Sequence, residues 1–446
     1  MKKIILLTYM FSLAIMSQAQ GPAITSWLQN TTETGSYYVQ GNSTSIDNGI
    51  LYNCQKVEYS TDFVYVSTKG IPAYTTGPFL DGNPSQATDQ DAIFKIPLIP
   101  LENTGAAIST TGGNIGVFIN GVALFDYRDG VAWNPNTNAL CGGPGNDPCP
   151  GGPMAQNDWN RDAIPAEMDG FDCSKAHPAM GNYHHHQNPS AFKLDLNVIS
   201  DICNLYDAEG LYAIDATQHS PLIGFAYDGF PIYGAYGFKN NDGTGGITRI
   251  KSSYQLKNIT TRTNGPDVDA TYFLGYFRED YEYVSHTEED YLDEHNGRIC
   301  KTPEYPDGTY AYFATVDEDW NSAYPYVVGP NFYGISENRK VNSVDETTTV
   351  YDGTSSLSEA EFQNLNISIF PNPATDLIAI QVAGLVDEDL DIELVDLSGK
   401  VVSVSKINKG STIAYFDIQT VYGGIYLVKI SNGELSVSEK VVIMKE

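Results

Sequence analysis

Short β-prone runs, each cut off within a few residues by glycine, proline or asparagine, dominate this chain and leave little room for helix. From about Tyr37 to Phe125 they read KVEYSTDFVYVST, AIFKIPLIP and IGVFINGVALFDY. Asn120-Gly121, set between VFI and VALF, predicts a two-residue type I′ hairpin, a turn that needs positive φ at both central positions. Helical spacing is confined to short stretches such as Ala191 to Ala208, where Asp195, Leu196, Val198 and Ile199 are only loosely amphipathic. Near the end, ISIFPNP, DLIAIQV, LDIELVDLSGKVV, STIAYFDI, GIYLVKIS and VSEKVVIM alternate apolar and polar residues, with Ser398-Gly399 and Asn432-Gly433 as turns. The fold class expected is therefore mainly β: an irregular β-rich central domain over 20–335 with few short helices, then a small antiparallel β-sandwich over 366–446. Residues 336–365, acidic, rich in Ser and Thr and without an apolar period, read as a linker between them.

Lys2 and Lys3 precede an apolar run from Ile4 to about Met16, and Ser17 and Ala19 stand at the minus-three and minus-one positions of a signal-peptidase site, which predicts a cleaved export signal over residues 1–19. The apolar run is shorter than the roughly 18 to 20 residues a spanning helix requires, and no later stretch is long and apolar enough, so no membrane span is expected in the mature chain. The 55 acidic against 25 basic residues, a formal charge of -30, argue against nucleic acid or an anionic membrane as partner. That acidity suits divalent cations, or simply keeps an exported protein soluble. Six cysteines in such a chain favour disulfides over free thiols. Cys141 and Cys149 flank the turn-rich GGPGNDP and are expected to pair; Cys54, Cys173, Cys203 and Cys300 leave three connectivities open.

All seven histidines fall between about Gly112 and Gly334. The densest cluster is Gly181-Asn182-Tyr183-His184-His185-His186-Gln187-Asn188-Pro189. In an extended segment successive side chains alternate faces, so His184 and His186 share one face and His185 points to the other. Two more segments carry candidates: His219 ahead of the Asp228-Gly229 turn, and His295 beside Asn296-Gly297. A metal set of His184, His186 and His219, with His295 or Asp228 as fourth ligand, suits zinc or copper, because neutral nitrogen donors favour both. With an open position for water such a set would make a metal-dependent extracellular hydrolase. The alternatives are a buried hydrogen-bond network around His184 and His186, and a surface glycan-binding or adhesive module built on aromatics such as those of YGAYGFKNNDG. No Gly-x-Ser-x-Gly elbow, phosphate-cradling glycine loop or His-Glu-x-x-His helix is present, and no catalytic residue stands out.

Two stretches resemble known families. IFPNPATD (369 to 376), LVDLSGKVV (394 to 402) and GIYLVKISNGE (424 to 434) are similar, in order, to the C-terminal sorting domain of the type IX secretion system. That resemblance implies residues 366–446 as partner of the secretion machinery and a secreted or cell-surface destination. GNYHHHQNP, HSPLIGFAYDGFPIYG, LDEHNGR, TPEYPDGTYAYF and YPYVVGP, in order over some two hundred residues, resemble the YHYH domain family. The chain departs from that motif where His185 stands in place of the second tyrosine, so the resemblance carries over His184 and His186 but not His185. It implies no settled activity, and a metal ion, an extracellular small molecule or a glycan remains the expected ligand.

Overall fold

The computed structural model describes residues 20–80, 86–152, 157–195, 201–337, 340–351, 367–382, 389–397, 399–409, 411–432 and 436–445. The export signal expected over 1–19 lies outside them. The described chain is mainly β, as its short alternating runs predict: strands in several sheets, with only two α-helices, Pro22–Thr25 and Ala163–Glu167, among the described residues.

An eight-stranded mixed sheet forms the centre, in the order Ala176–Ala179, Asn182–His185, Ala123–Phe125, Asn114–Phe118, Leu222–Ala226, Pro231–Tyr233, Thr309–Phe313 and Gly297–Cys300. Neighbours are antiparallel except where Asn182–His185 meets Ala123–Phe125 and where Pro231–Tyr233 meets Thr309–Phe313. Both faces of the middle strands are covered, so Leu222–Ala226 and Pro231–Tyr233 are buried along their whole length. The apolar runs there are continuous for that reason.

The Asn120-Gly121 hairpin forms, but not with the expected turn. Gly121 has φ +77° and Asn120 is not left-handed. The Gly121 N–H donates to the Phe118 carbonyl at 2.8 Å and the Phe118 N–H to the Val122 carbonyl at 2.9 Å. This is a three-residue loop, a type I turn closed by a glycine bulge. Packing favours it: a Cβ on Gly121 would lie 2.2 Å from Thr68 Oγ1, so the glycine answers close contact as well as φ.

A five-stranded sheet runs Lys340–Val341, Ala92–Pro97, Phe63–Thr68, Cys54–Tyr59 and Thr349–Tyr351. Its two outer strands come from within 336–365, the stretch that reads as a linker. β-Branched Thr349 and Val350 and the unpaired edges of a three-stranded meander explain why an acidic, unpatterned segment is recruited as strand. Residues 352–366 lie outside the description.

Beyond them, a three-stranded sheet (Ile367–Phe370, Leu377–Val382, Ile413–Asp417) and a four-stranded sheet (Val401–Ile407, Leu390–Asp396, Gly424–Ser431, Ser436–Ile443) enclose a core of Ile378, Ile392, Leu394, Phe416, Val428 and Ile430. The turn residues Ser398 and Gly433 lie outside the described residues. This sandwich also rests on the central domain: Gln381 Oε1 accepts the Ala213 N–H at 2.9 Å, and Thr412 Oγ1 donates to the Leu211 carbonyl at 2.9 Å.

Cys141 and Cys149 are bonded, and so are Cys173 and Cys203. Cys54 and Cys300 are free, buried thiols, which corrects the expectation that all six would pair. Cys54 sits under the Gly121 loop and Cys300 ends the far edge strand of the central sheet, so the fold gives neither a partner. Of the helix expected over Ala191 to Ala208, the structure has two 3-10 turns, Phe192–Leu194 and Asp201–Asn204, on either side of undescribed residues 196–200.

Candidate metal centre

The histidine cluster sits on the hairpin at one edge of the central sheet. Ala176–Ala179 and Asn182–His185 are joined by Met180 and Gly181, with φ of +50° and +83°. Two left-handed residues in a two-residue loop make the type I′ geometry, and that loop fixes the register. Ala179 then pairs with Asn182, and His177 pairs with His184 directly across the strands. Nothing in the His184–His186 run names His177; the signal is the turn glycine, from which counting outward sets 177 against 184. Met180 obscures it, because methionine seldom takes positive φ.

Alternation does the rest. Tyr183 and His185 face one side. There the Tyr183 hydroxyl donates to Asp172 Oδ2 at 2.8 Å, and His185 Nε2 lies 2.8 Å from the Tyr74 hydroxyl. Burial pulls the His185 pKa down to about 3. His184 and His186 face the other side with His177, all three buried, and one ligand nitrogen from each lies within 4.8 Å of the others. Phe125 stacks on His184 at 3.7 Å, and Phe171 packs edge-on against His177 at 5.0 Å.

The ring nitrogens are held from behind. His184 Nδ1 lies 2.8 Å from the Asn182 carbonyl and His186 Nδ1 lies 2.5 Å from the Asp126 carbonyl. A carbonyl only accepts, so both Nδ1 atoms carry the proton. A neutral ring at either position then presents an Nε2 lone pair, and the two Nε2 atoms face each other at 3.0 Å. Two lone pairs at that distance repel unless a proton or a cation lies between them.

Glu167, at the end of the Ala163–Glu167 helix, completes the surroundings. Its Oε2 lies 3.2 Å from His177 Nε2 and 3.2 Å from His186 Nε2. The helix is set by Asp162, which caps it by accepting the Ile164 N–H at 2.9 Å and also accepts the Tyr326 hydroxyl at 2.9 Å. Burial works to raise the Glu167 carboxyl, but the close approach of His177 and His186 outweighs it and holds the group far below the usual carboxylate range. For His186 the order is mirrored: burial lowers its pKa, and Glu167 more than compensates, so the ring is raised. His184 is lowered, by burial first and then by the charges of His186 and His177.

The other sequence candidates lie elsewhere. His219 precedes Leu222–Ala226, which is three strand steps from Asn182–His185, or about 14 Å at the usual 4.7–4.9 Å spacing. Its ring packs against Tyr233 and Phe238, and its Nδ1 lies 2.7 Å from the Ser220 carbonyl. Asp228 is buried at its own turn, accepting the Tyr312 hydroxyl at 2.6 Å and the Gly334 N–H at 2.8 Å. His295 sets Nδ1 3.1 Å from the Asn331 carbonyl. The structure brings His184 and His186 together, adds His177, and leaves His219, His295 and Asp228 in separate hydrogen-bonded environments. Glu167 carries no sequence signal, being one of 55 acidic residues.

No described helix is long and apolar enough to cross a membrane. The model of the secretion system C-terminal sorting domain matches residues 368–444, the two-sheet sandwich, which marks the protein for secretion and the cell surface. No curated protein matches the chain. The model described as YHYH protein matches residues 93–325, more than half of the chain, and spans every strand of the central sheet together with the histidine hairpin. By that match the chain belongs to the YHYH protein family.

Proposed function

We propose that this is an exported cell-surface protein whose YHYH domain binds one transition-metal ion, zinc or copper, through His177, His184 and His186. The observation that carries this reading is the pair of Nε2 atoms of His184 and His186, facing each other at 3.0 Å while both Nδ1 atoms are committed to carbonyl oxygens. That is the outer-sphere arrangement by which metal-binding imidazoles are oriented, with the far ring N–H given to a backbone oxygen. Without metal, a proton on His186, which Glu167 favours, would link the two nitrogens. A divalent ion displaces it.

Three neutral nitrogens and a neighbouring carboxylate suit zinc and copper better than calcium or magnesium, which prefer all-oxygen surroundings. The export signal over 1–19 and the sorting tail over 366–446 belong to the same reading: the site is assembled for use outside the cell, where metal reaches it from the medium.

The test is elemental analysis of secreted protein, before and after dialysis against a chelator. One equivalent of zinc or copper, removed by the chelator, recovered on reloading and lost in His184→Ala and His186→Ala, is the expected result. A protein that takes up neither ion at neutral pH leaves the cluster as a buried hydrogen-bond network.

A further inference from the structure

We infer that Glu167 is the fourth ligand of this centre, so that the ion is held in a closed site of three histidines and one carboxylate. This inference rests on the metal reading above and specifies its coordination.

Its ground is the placement of a single oxygen. Glu167 directs Oε2, not one oxygen to each ring, at both His177 Nε2 and His186 Nε2, 3.2 Å from each. His186 Nε2 is in turn 3.0 Å from His184 Nε2. A tetrahedral ion with nitrogen and oxygen ligands at about 2.0–2.1 Å has ligand-to-ligand edges of about 3.3 Å. Three of the six edges of the set are therefore within about 0.3 Å of the length coordination requires, and every one of them meets at Glu167 Oε2 or His186 Nε2.

Charge and exposure point the same way. Three neutral imidazoles leave a buried divalent ion with its full charge uncompensated, and burying such a charge is costly. Glu167 supplies one negative charge at the edge of the cluster, with its side chain 24 % exposed against 8 % for His177 and 3 % for His186. Its side chain is the most exposed of these three. Once it binds, no vertex is left for water or substrate, and the site retains an ion instead of presenting it for hydrolysis.

Cobalt(II) and azide test this on the full secreted chain. In the wild type, cobalt should give the intense visible bands of a four-coordinate ion, unchanged by azide. In Glu167→Ala the vacated vertex should admit azide and shift the spectrum, with cobalt held about tenfold or more weaker. Glu167→Gln, which keeps the shape, should also bind more weakly. A wild-type spectrum that responds to azide as strongly as Glu167→Ala overturns the inference and leaves a three-histidine open site. Absence of cobalt, zinc and copper binding in the wild type would instead take down the metal reading itself.

Discussion

His177 stands directly opposite His184 across a hairpin closed by Met180 and Gly181, and that pairing puts a third imidazole beside the motif. The turn should therefore control the site at a distance. Gly181 has φ +83°, and a Cβ there would lie 2.1 Å from Thr88 Oγ1. Gly181→Val should cost about 1–2 kcal/mol for the left-handed backbone alone, more with the clash, and should weaken metal binding although no ligand is changed. Denaturant melts and zinc titration of the same variant check both effects. Loss of stability with unaltered zinc affinity would show that the register does not depend on this turn.

Ligand substitutions should separate the assembled histidines from the outlying ones. His177→Ala should abolish tight zinc binding as His184→Ala and His186→Ala do, whereas His219→Ala, His295→Ala and Asp228→Asn should leave the stoichiometry unchanged. Thermal stability offers an independent reading: zinc at 100 times its Kd should add about 2.7 kcal/mol to the wild type and nothing to the three triad variants.

His219 should make the stability of the central domain pH-dependent by a route that does not involve the triad. Burial lowers its pKa to about 4; Nδ1 is committed to the Ser220 carbonyl and Nε2 has no partner among the described residues. An imidazolium would thus bury an unpaired N–H. The unfolded chain, with an ordinary imidazole near 6.5, takes up the proton first as pH falls. The contribution is complete above about 6.5 and is lost on the way down to about 4, amounting to at most about 3 kcal/mol. Chemical denaturation from pH 7 to 4 should show a shallower decline in His219→Gln than in the wild type; parallel curves would refute the assignment.

Lys175 Nζ lies 2.8 Å from Asp195 Oδ2, both side chains essentially without exposure, and Ser190 Oγ is 3.1 Å from the same ammonium. Removing one partner leaves a buried charge uncompensated, so Lys175→Met should destabilise by about 3–5 kcal/mol. Lys175→Met combined with Asp195→Leu should recover much of that. If the double variant is no better than the single, the pair contributes through packing and not through charge.

The Cys173–Cys203 bridge closes a loop with a sequence separation of 30, for which chain entropy predicts about 3–4 kcal/mol of stabilisation. Replacing both cysteines by serine should lower the denaturation midpoint accordingly. Cys54 and Cys300 should react with thiol reagents only in denaturant, since both are buried.

Local pattern was enough to establish what depends on neighbours along the chain. The period of two that places His184 and His186 on one face and His185 on the other is a property of any extended strand, and it can be read from four residues. The mainly-β class follows from the short runs and their breakers, the Cys141–Cys149 bridge from the brevity of its loop, and the sandwich and its sorting role from alternation and motif within one stretch. What the sequence left open was decided by pairing. His219 was the third ligand the sequence suggested, yet the sheet sets two strands, Ala123–Phe125 and Asn114–Phe118, between the two segments. His177 and Glu167 reach the site because a hairpin register and a capped five-residue helix deliver them there. Likewise the acidic stretch before the tail becomes strand only because a sheet has edges to fill. Strand order minimises the exposed apolar surface and unpaired backbone of the whole chain at once, and such a sum is not contained in any window of residues.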